Sequence, residues 1–394
     1  MSKTKIFTST ILIVSFVSLF TDIASEMLYP VMPVYLRSIG FSVLLIGILE
    51  GVAEATAGLS KGYFGNLSDV IRKRVPFIKG GYTLSAISKP LLAVFTFPPW
   101  VFFTRTLDRL GKGIRTGARD AILSDETTPE HKGKVFGFHR SMDTVGAAIG
   151  PFFALIFLYF YPGHYKWLFF IAFFPGLIAI ALSFLLKEKS KGRDANHRTR
   201  ISFFGYFSYW KKASPGYRRL TAGLLAFALF NSSDAFLLLA MKNQGMPDTR
   251  MIGFYIFYNI AYALLSYPLG AIADRIGLKT MLITGLTVFS VVYFFFGFAT
   301  SFLAFGILFF FYALYTASTE GISKALISNL AGKSDTATAI GFYTSFASIF
   351  TLLSSSISGL LWFIIGHKAM FMISGVGVLV VVIYLVGQFK RHDR

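Results

Sequence analysis

Long apolar runs alternate with short polar breaks along the whole chain. Breaks at Gly, Pro and charge clusters predict helical spans over 6–36, 42–66, 76–97, 100–123, 134–160 and 166–186. After one polar stretch the pattern resumes over 220–241, 251–273, 280–299, 302–327, 337–365 and 369–389. About 20 apolar residues at a 1.5 Å rise cross a bilayer, so each run is long enough to span one. Lys3 and Lys5 ahead of the first run imitate a signal peptide. The run nevertheless continues past Pro33 with no small-residue cleavage pattern and reads as the first span. The expected fold is all-α and membrane-integral: twelve transmembrane helices in two six-helix bundles, 1–186 and 220–394, joined by a linker over 187–219.

Composition supports this reading. Of 394 residues 54% are hydrophobic and only 14% charged, against about 25% charged in a soluble domain. The net charge of +19, from 38 Lys and Arg against 19 Asp and Glu, raises the question of a nucleic-acid partner. Its distribution answers otherwise. With the N-terminus inside, Arg72, Lys73, Arg74, Lys132, Lys134, Arg275, Lys279, Lys333, the linker and the tail from Lys390 fall on the cytoplasmic side, while the other side holds Arg37, Lys166, Lys242, Arg250 and Lys368. Cytoplasmic loops collect basic residues in this way, so both termini are expected in the cytoplasm, in a bacterial inner membrane, with no nucleic acid as partner.

The linker opens with Lys187-Glu188-Lys189-Ser190-Lys191 and closes at Arg218-Arg219. Between them an aromatic stretch over 201–210, bounded by Lys211 and Lys212, has the pattern of an amphipathic helix in the membrane interface. Cysteine is absent, which excludes disulfides, thiolate metal sites and a cysteine nucleophile. The six histidines lie in connections or beside them and form no metal-ligand spacing. No Gly-x-x-x-x-Gly-Lys-[Ser/Thr] loop is present, and no acyl-transfer signature. No enzyme activity, cofactor or metal is expected.

An internal repeat organises the chain. Gly65-Asn-Leu-Ser-Asp69-Val-Ile-Arg-Lys-Arg74 follows the second span, and Gly270-Ala-Ile-Ala-Asp274-Arg-Ile-Gly-Leu-Lys279 follows the eighth. Gly137-Phe138 and Gly341-Phe342 repeat at nearly the same shift, as do Arg119 and Lys324. Parallel duplication of a six-helix half explains these pairs and makes the bundles pseudo-symmetric.

With these motifs the chain resembles the major facilitator superfamily over essentially its whole length. The loop motif of that superfamily, Gly-x-Leu-Ala-Asp-Arg-x-Gly-Arg-Lys, is matched in the second half by Gly270, Ala273, Asp274, Arg275, Gly277 and Lys279. The first copy keeps Gly65, Leu67, Asp69, Lys73 and Arg74 but has Val70 and Arg72 where Arg and Gly are usual. Gly146, Gly150 and Pro151 are similar to the Gly-x-x-x-Gly-Pro-x-x-Gly motif of proton-coupled exporters, with Ala154 at its last position. The resemblance implies a secondary transporter that exposes its site to each side of the membrane in turn.

Ionisable groups at membrane depth are costly and therefore candidates for function. Asp22, Glu54, Lys89 and Lys112 fall about midway through their spans, with Glu26, Arg105, Asp108 and Arg109 nearer one end. Residues three and four apart share a helix face, so Asp22 and Glu26 stack together, as do Arg105, Arg109 and Lys112. A carboxylate whose exposure and counter-charge alternate can carry a proton. Asp22 or Glu26 is the expected carrier, Arg109 or Arg105 its counter-charge, and Glu54 with Lys89 a further pair along the path. The second half offers Asn231 and Asp234, and the row Tyr255, Tyr258, Asn259 and Tyr262. The expectation is a monomeric, proton-coupled transporter of a small organic solute, with export by antiport preferred. Proton symport of an organic anion or metal chelate is the alternative, and lipid movement a third class.

Overall fold

The computed structural model describes residues 6–29, 31–41, 43–188 and 205–390. Among these the secondary structure is helical, without strands. In chain order the α-helices are α1 (Ser9–Glu26), α2 (Met32–Ser38), α3 (Val43–Ile71), α4 (Val75–Val94), α5 (Pro98–Asp125), α6 (Lys132–Phe160), α7 (Tyr165–Phe184) and α8 (Tyr209–Lys212). They continue with α9 (Pro215–Ala228), α10 (Ala235–Asn243), α11 (Asp248–Ile276), α12 (Leu278–Phe296), α13 (Phe302–Leu330), α14 (Thr336–Ile365) and α15 (His367–Lys390). Eight helical segments among the described residues are long and apolar enough to cross a membrane. The long helices outside that set, α3, α4 and α5, carry charged side chains within the span. Large apolar side chains stay uncovered on the outside of the bundles, Phe363 at 88% and Tyr159 at 80% exposure. Acyl chains, not water, are the solvent that tolerates them.

Two spans differ from the continuous helices the hydropathy predicts. The first divides into α1 and α2, because a residue before proline is pushed out of the α region and Pro30 follows Tyr29; Pro30 itself lies outside the described residues. The seventh divides into α9 and α10 around Asn231-Ser232-Ser233-Asp234. Short polar side chains compete with the helix for its own backbone groups. Pro90, Pro151, Pro175 and Pro268 by contrast sit inside helices that continue through them.

The chain forms two compact units. Unit 1 comprises Met1–Thr128, Met142–Lys212 and Gly332–Ser345; unit 2 comprises Pro129–Ser141, Ala213–Ala331 and Phe346–Arg394. The first turns of α6 thus belong to unit 2 and the first turns of α14 to unit 1. In unit 1, α5 packs on α3 and α4, and α7 on α1 and α4. One part of its core gathers Leu28, Leu36, Phe41 and Leu168 around Tyr35, whose ring stands 4.8 Å from that of Phe169. In unit 2, α13 packs on α11 and α12, and α15 on α12 and α9. Its core is aromatic, with Phe289 stacked on Tyr293 at 4.0 Å and Phe296 against Phe309 and Phe371, both at 5.5 Å.

Of the linker, 189–204 and with it the first part of the aromatic stretch lie outside the described residues, as does the tail beyond Lys390. The linker's described residues up to Lys212 belong to unit 1, and those from Ala213 on to unit 2. Tyr206 is 1% exposed, bonds the Ser345 hydroxyl at 3.0 Å and covers Gly62, where any side chain would collide with its ring. Trp210 stacks on Phe342 at 5.7 Å.

Candidate functional site

In unit 1 the polar site is built on α5. Arg105 grips Glu50 of α3 in a two-pronged pair, Nε to Oε1 at 3.0 Å and NH2 to Oε2 at 3.1 Å, the strong geometry for a guanidinium and a carboxylate. It also lies 3.6 Å from Asp108 one turn on. Lys89 of α4, buried at 2% exposure, donates to the Ser85 carbonyl at 2.9 Å and to Asp108 at 3.4 Å. Arg109 pairs with Glu54 at 3.4 Å. Arg115 donates to the Ser85 hydroxyl at 2.7 Å and lies over the Tyr82 ring. Arg119 reaches Asp120 at 3.0 Å, the Ser18 hydroxyl at 3.1 Å and Asp143 at 3.8 Å.

Three of the candidate charges face one another without direct contact. Lys112 is exposed, and Asp22 and Glu26 are partly exposed; among the described residues none of the three side chains makes a hydrogen bond or a direct ion pair, though Lys112 lies in the field of Asp22, Glu26 and Glu54. The helix behind the two carboxylates is held tightly. A Cβ at Gly146 would sit 2.6 Å from the Leu19 carbonyl and 3.0 Å from Asp22 Cβ, and one at Gly150 would sit 2.7 Å from the Ile23 carbonyl. Small residues four apart let α6 touch the α1 backbone, and Pro151 follows inside the same helix. The structure places Arg109 beside Glu54 and Lys89 beside Asp108, whereas the sequence pattern pairs Arg109 or Arg105 with Asp22 or Glu26, and Lys89 with Glu54.

Unit 2 solves the same problem with phenols. Tyr258 and Tyr262 of α11 stack at 6.0 Å, and Tyr258 approaches Tyr312 of α13 at 5.2 Å. The Tyr312 hydroxyl donates to Asp234 at 2.6 Å. The Tyr262 hydroxyl donates to Glu320 at 3.0 Å, and Arg140 meets both, pairing with Glu320 at 2.5 Å and bonding the Tyr262 oxygen. Asn259 donates back to the Tyr255 carbonyl at 2.9 Å, a bond within its own helix. Tyr293 and Tyr312 were not among the candidates; their signal was faint, since a tyrosine in an apolar run reads as a lipid-facing aromatic.

The two loop motifs do different work at helix starts. Asp69 forms an ion pair with Arg74 and accepts from the Thr338 amide at 2.6 Å and its hydroxyl at 2.7 Å, so it caps the first turn of α14. A Cβ at Gly65 would lie 2.5 Å from the Ala337 carbonyl, which explains why glycine stands there. Asp274 accepts from the amides of Gly133 and Lys134, both at 2.8 Å, and so caps the first turn of α6. Gly270 lies against the Gly133 backbone. Carboxylates are favoured at helix starts, where four amides lack partners and the dipole is positive. Gly277 ends α11 at φ 96°, and Arg72 occupies the matching turn at φ 55°, a left-handed conformation that costs a side-chain-bearing residue about 1 kcal/mol. Arg275 is exposed, and Lys279 lies over the Phe389 ring at 5.4 Å. Among the described residues no group of three or more His, Asp or Glu is placed to hold a metal.

Buried charge on helices, an interrupted span and paired loop motifs define a membrane transporter, and the comparisons specify which kind. The Major Facilitator Superfamily model matches residues 14–258 and 220–393. An MFS-type transporter of Methanocaldococcus jannaschii is 32% identical over 359 residues, covering 89% of this chain and 87% of that one. A citrate exporter of Aspergillus niger is 24% identical over 190 residues, 48% of this chain and 36% of its own. The crystal structure of a human organic anion transporter superposes with a TM-score of 0.76 at 14% identity, over 95% of this chain and 98% of that one. The chain belongs to the major facilitator superfamily: it is an integral membrane transporter of small solutes with the twelve-helix fold, not an enzyme.

Proposed function

We propose that this transporter moves a small organic anion by alternating access, coupled to protons, with export by antiport as the preferred direction. The observation that carries the reading is the charge state of α5. Arg105, Arg109, Arg115 and Arg119 are each engaged by a carboxylate or hydroxyl, while Lys112 on the same stripe is exposed and engaged by none. Lys112 lies in the field of Glu54, Asp22 and Glu26 without touching any of them, so its ammonium keeps donors free for an anion that enters the site. The names of two similar proteins, a citrate exporter and an organic anion transporter, point to the same substrate class.

Asp22 and Glu26 support proton coupling, because a carboxylate held in no direct ion pair exchanges its proton as the charges around it move. The Gly146, Gly150 and Pro151 pattern supports export. Asymmetry of basic residues between the two sets of loops supports a bacterial inner membrane with both termini in the cytoplasm, and the transporter is taken to act as a monomer. Asp69, Arg74 and Asp274 at their helix starts, with the glycines beside them, are read as the elements that hold one state and release in the other.

The test is proton flux in liposomes carrying the purified protein and an internal pH-sensitive dye. Adding citrate or smaller dicarboxylates outside is expected to move protons, with at least a tenfold loss in Asp22→Asn, and the sign of the change distinguishes antiport from symport. Anion flux with no proton movement in the wild type would defeat the coupling.

A further inference from the structure

The interruption between α9 and α10 has no use in the reading above, and its chemistry is unlike that of α5. We propose that it binds a small monovalent cation of the sodium type through the Asp234 carboxylate, Asn231 Oδ1 and main-chain carbonyl oxygens of the unwound stretch.

Three observations converge on this. Helix α9 ends at Ala228 and α10 starts at Ala235, and among the described residues no donor reaches the carbonyl oxygens of Ala228, Leu229, Phe230 and Asn231. In water such oxygens are hydrated, but within a membrane span they need another partner. Second, Asn231 Oδ1 is shielded from solvent and receives no hydrogen bond, which is exceptional for a buried acceptor. Third, Asp234 accepts from Tyr312 at 2.6 Å yet makes no ion pair among the described residues, and the other charged group near it is a second carboxylate, Glu320. A carboxylate at this depth calls for a positive partner.

The stretch is also held in place rather than left loose. The Tyr293 hydroxyl meets the Ser232 hydroxyl at 3.1 Å, the Ser233 amide donates to Ser355 at 3.2 Å, and Tyr312 holds Asp234. Helices α12, α13 and α14 therefore each fix one residue of the break, the pre-organisation an ion site requires. All donors to the ion would be oxygens, which selects a hard cation over a transition metal. A single carboxylate matches a single positive charge. Interrupted transmembrane helices in other transporter folds use unwound carbonyls in this way.

The experiment uses the full-length purified protein in detergent. Thermal unfolding, followed by tryptophan fluorescence, is recorded while sodium chloride replaces choline chloride at constant ionic strength, and equilibrium binding of radiolabelled sodium is measured alongside. Sodium is expected to raise the unfolding temperature saturably and choline not at all. Asp234→Asn should abolish the effect, and Asn231→Ala should weaken apparent affinity at least tenfold. Should either variant fail to fold, wild-type binding of radiolabelled sodium, displaced by unlabelled sodium but not by choline, still supports the site. A wild type that neither binds sodium nor is stabilised by it overturns the proposal, as does an Asp234→Asn protein that binds like the wild type. Stabilisation that follows pH alone overturns it too, since the carboxylate would then be holding a proton. Each of these results leaves the anion reading of Lys112 untouched, because that residue lies in unit 1.

Discussion

Units 1 and 2 bury polarity in opposite ways. On α5 of unit 1 nearly every cation meets an acid of α3, α5 or α6 or a hydroxyl of α1 or α4, so charge is balanced locally. Unit 2 carries few charges at the same depth and surrounds Asp234 and Glu320 with tyrosines, which hydrogen-bond without adding charge. The difference teaches where function concentrates. In a ladder of contact pairs the informative residues are those that face opposite charge without touching it, Lys112, Asp22 and Glu26; among phenols the informative residue is Asp234, which makes no ion pair among the described residues.

The contrast predicts unequal sensitivity to substitution. The largest effect is expected for Arg105→Met, which strands Glu50 and leaves Asp108 with Lys89. Breaking a buried pair from one side costs about 3–5 kcal/mol, toward the lower end here because the Glu50 side chain is 34% exposed, read as a fall in unfolding temperature in detergent. Adding Glu50→Gln should recover part of the loss, and no recovery would mean that the pair is not the source. Asp69→Asn comes next at about 3 kcal/mol, since it removes both an ion pair and a cap. Tyr312→Phe in unit 2 is expected to cost about 1.5 kcal/mol, the loss of one hydrogen bond to a charged acceptor. Asp274→Asn should cost only about 1 kcal/mol, because that carboxylate caps without an ion pair. Equal costs at Asp69 and Asp274 would show that the Arg74 pair contributes nothing. The smallest change runs the other way: Arg72→Gly is expected to stabilise by up to about 1 kcal/mol by relieving the left-handed turn.

Much of this was legible in the residues. The helices follow from apolar runs, and the internal repeat sets Asp69 and Asp274 in equivalent positions. What was not legible is tertiary. A helical repeat shows that Arg105, Arg109 and Lys112 share a face, but not which neighbour that face meets, so Lys89 was set against Glu54 although it lies on Asp108. The break at Asn231 to Asp234 was hidden inside an apolar run, because four short polar residues barely lower the average hydropathy. The membership of residues 332–345 in unit 1 and 129–141 in unit 2 depends on backbone contacts at Gly65, Gly137, Gly270 and Gly341, and a glycine does not announce what it will touch.

Whether Lys112, the α5 cation held in no direct pair, receives the anion can be tested by binding alone. Equilibrium binding of radiolabelled citrate to purified wild type, Lys112→Met and Lys112→Arg separates charge from shape. Lys112→Met should lose at least tenfold in affinity with little change in unfolding temperature, because it breaks no pair, and Lys112→Arg should retain most of the binding. If Lys112→Met binds citrate as the wild type does, the lysine is not the anion's partner and the reading built on α5 is wrong.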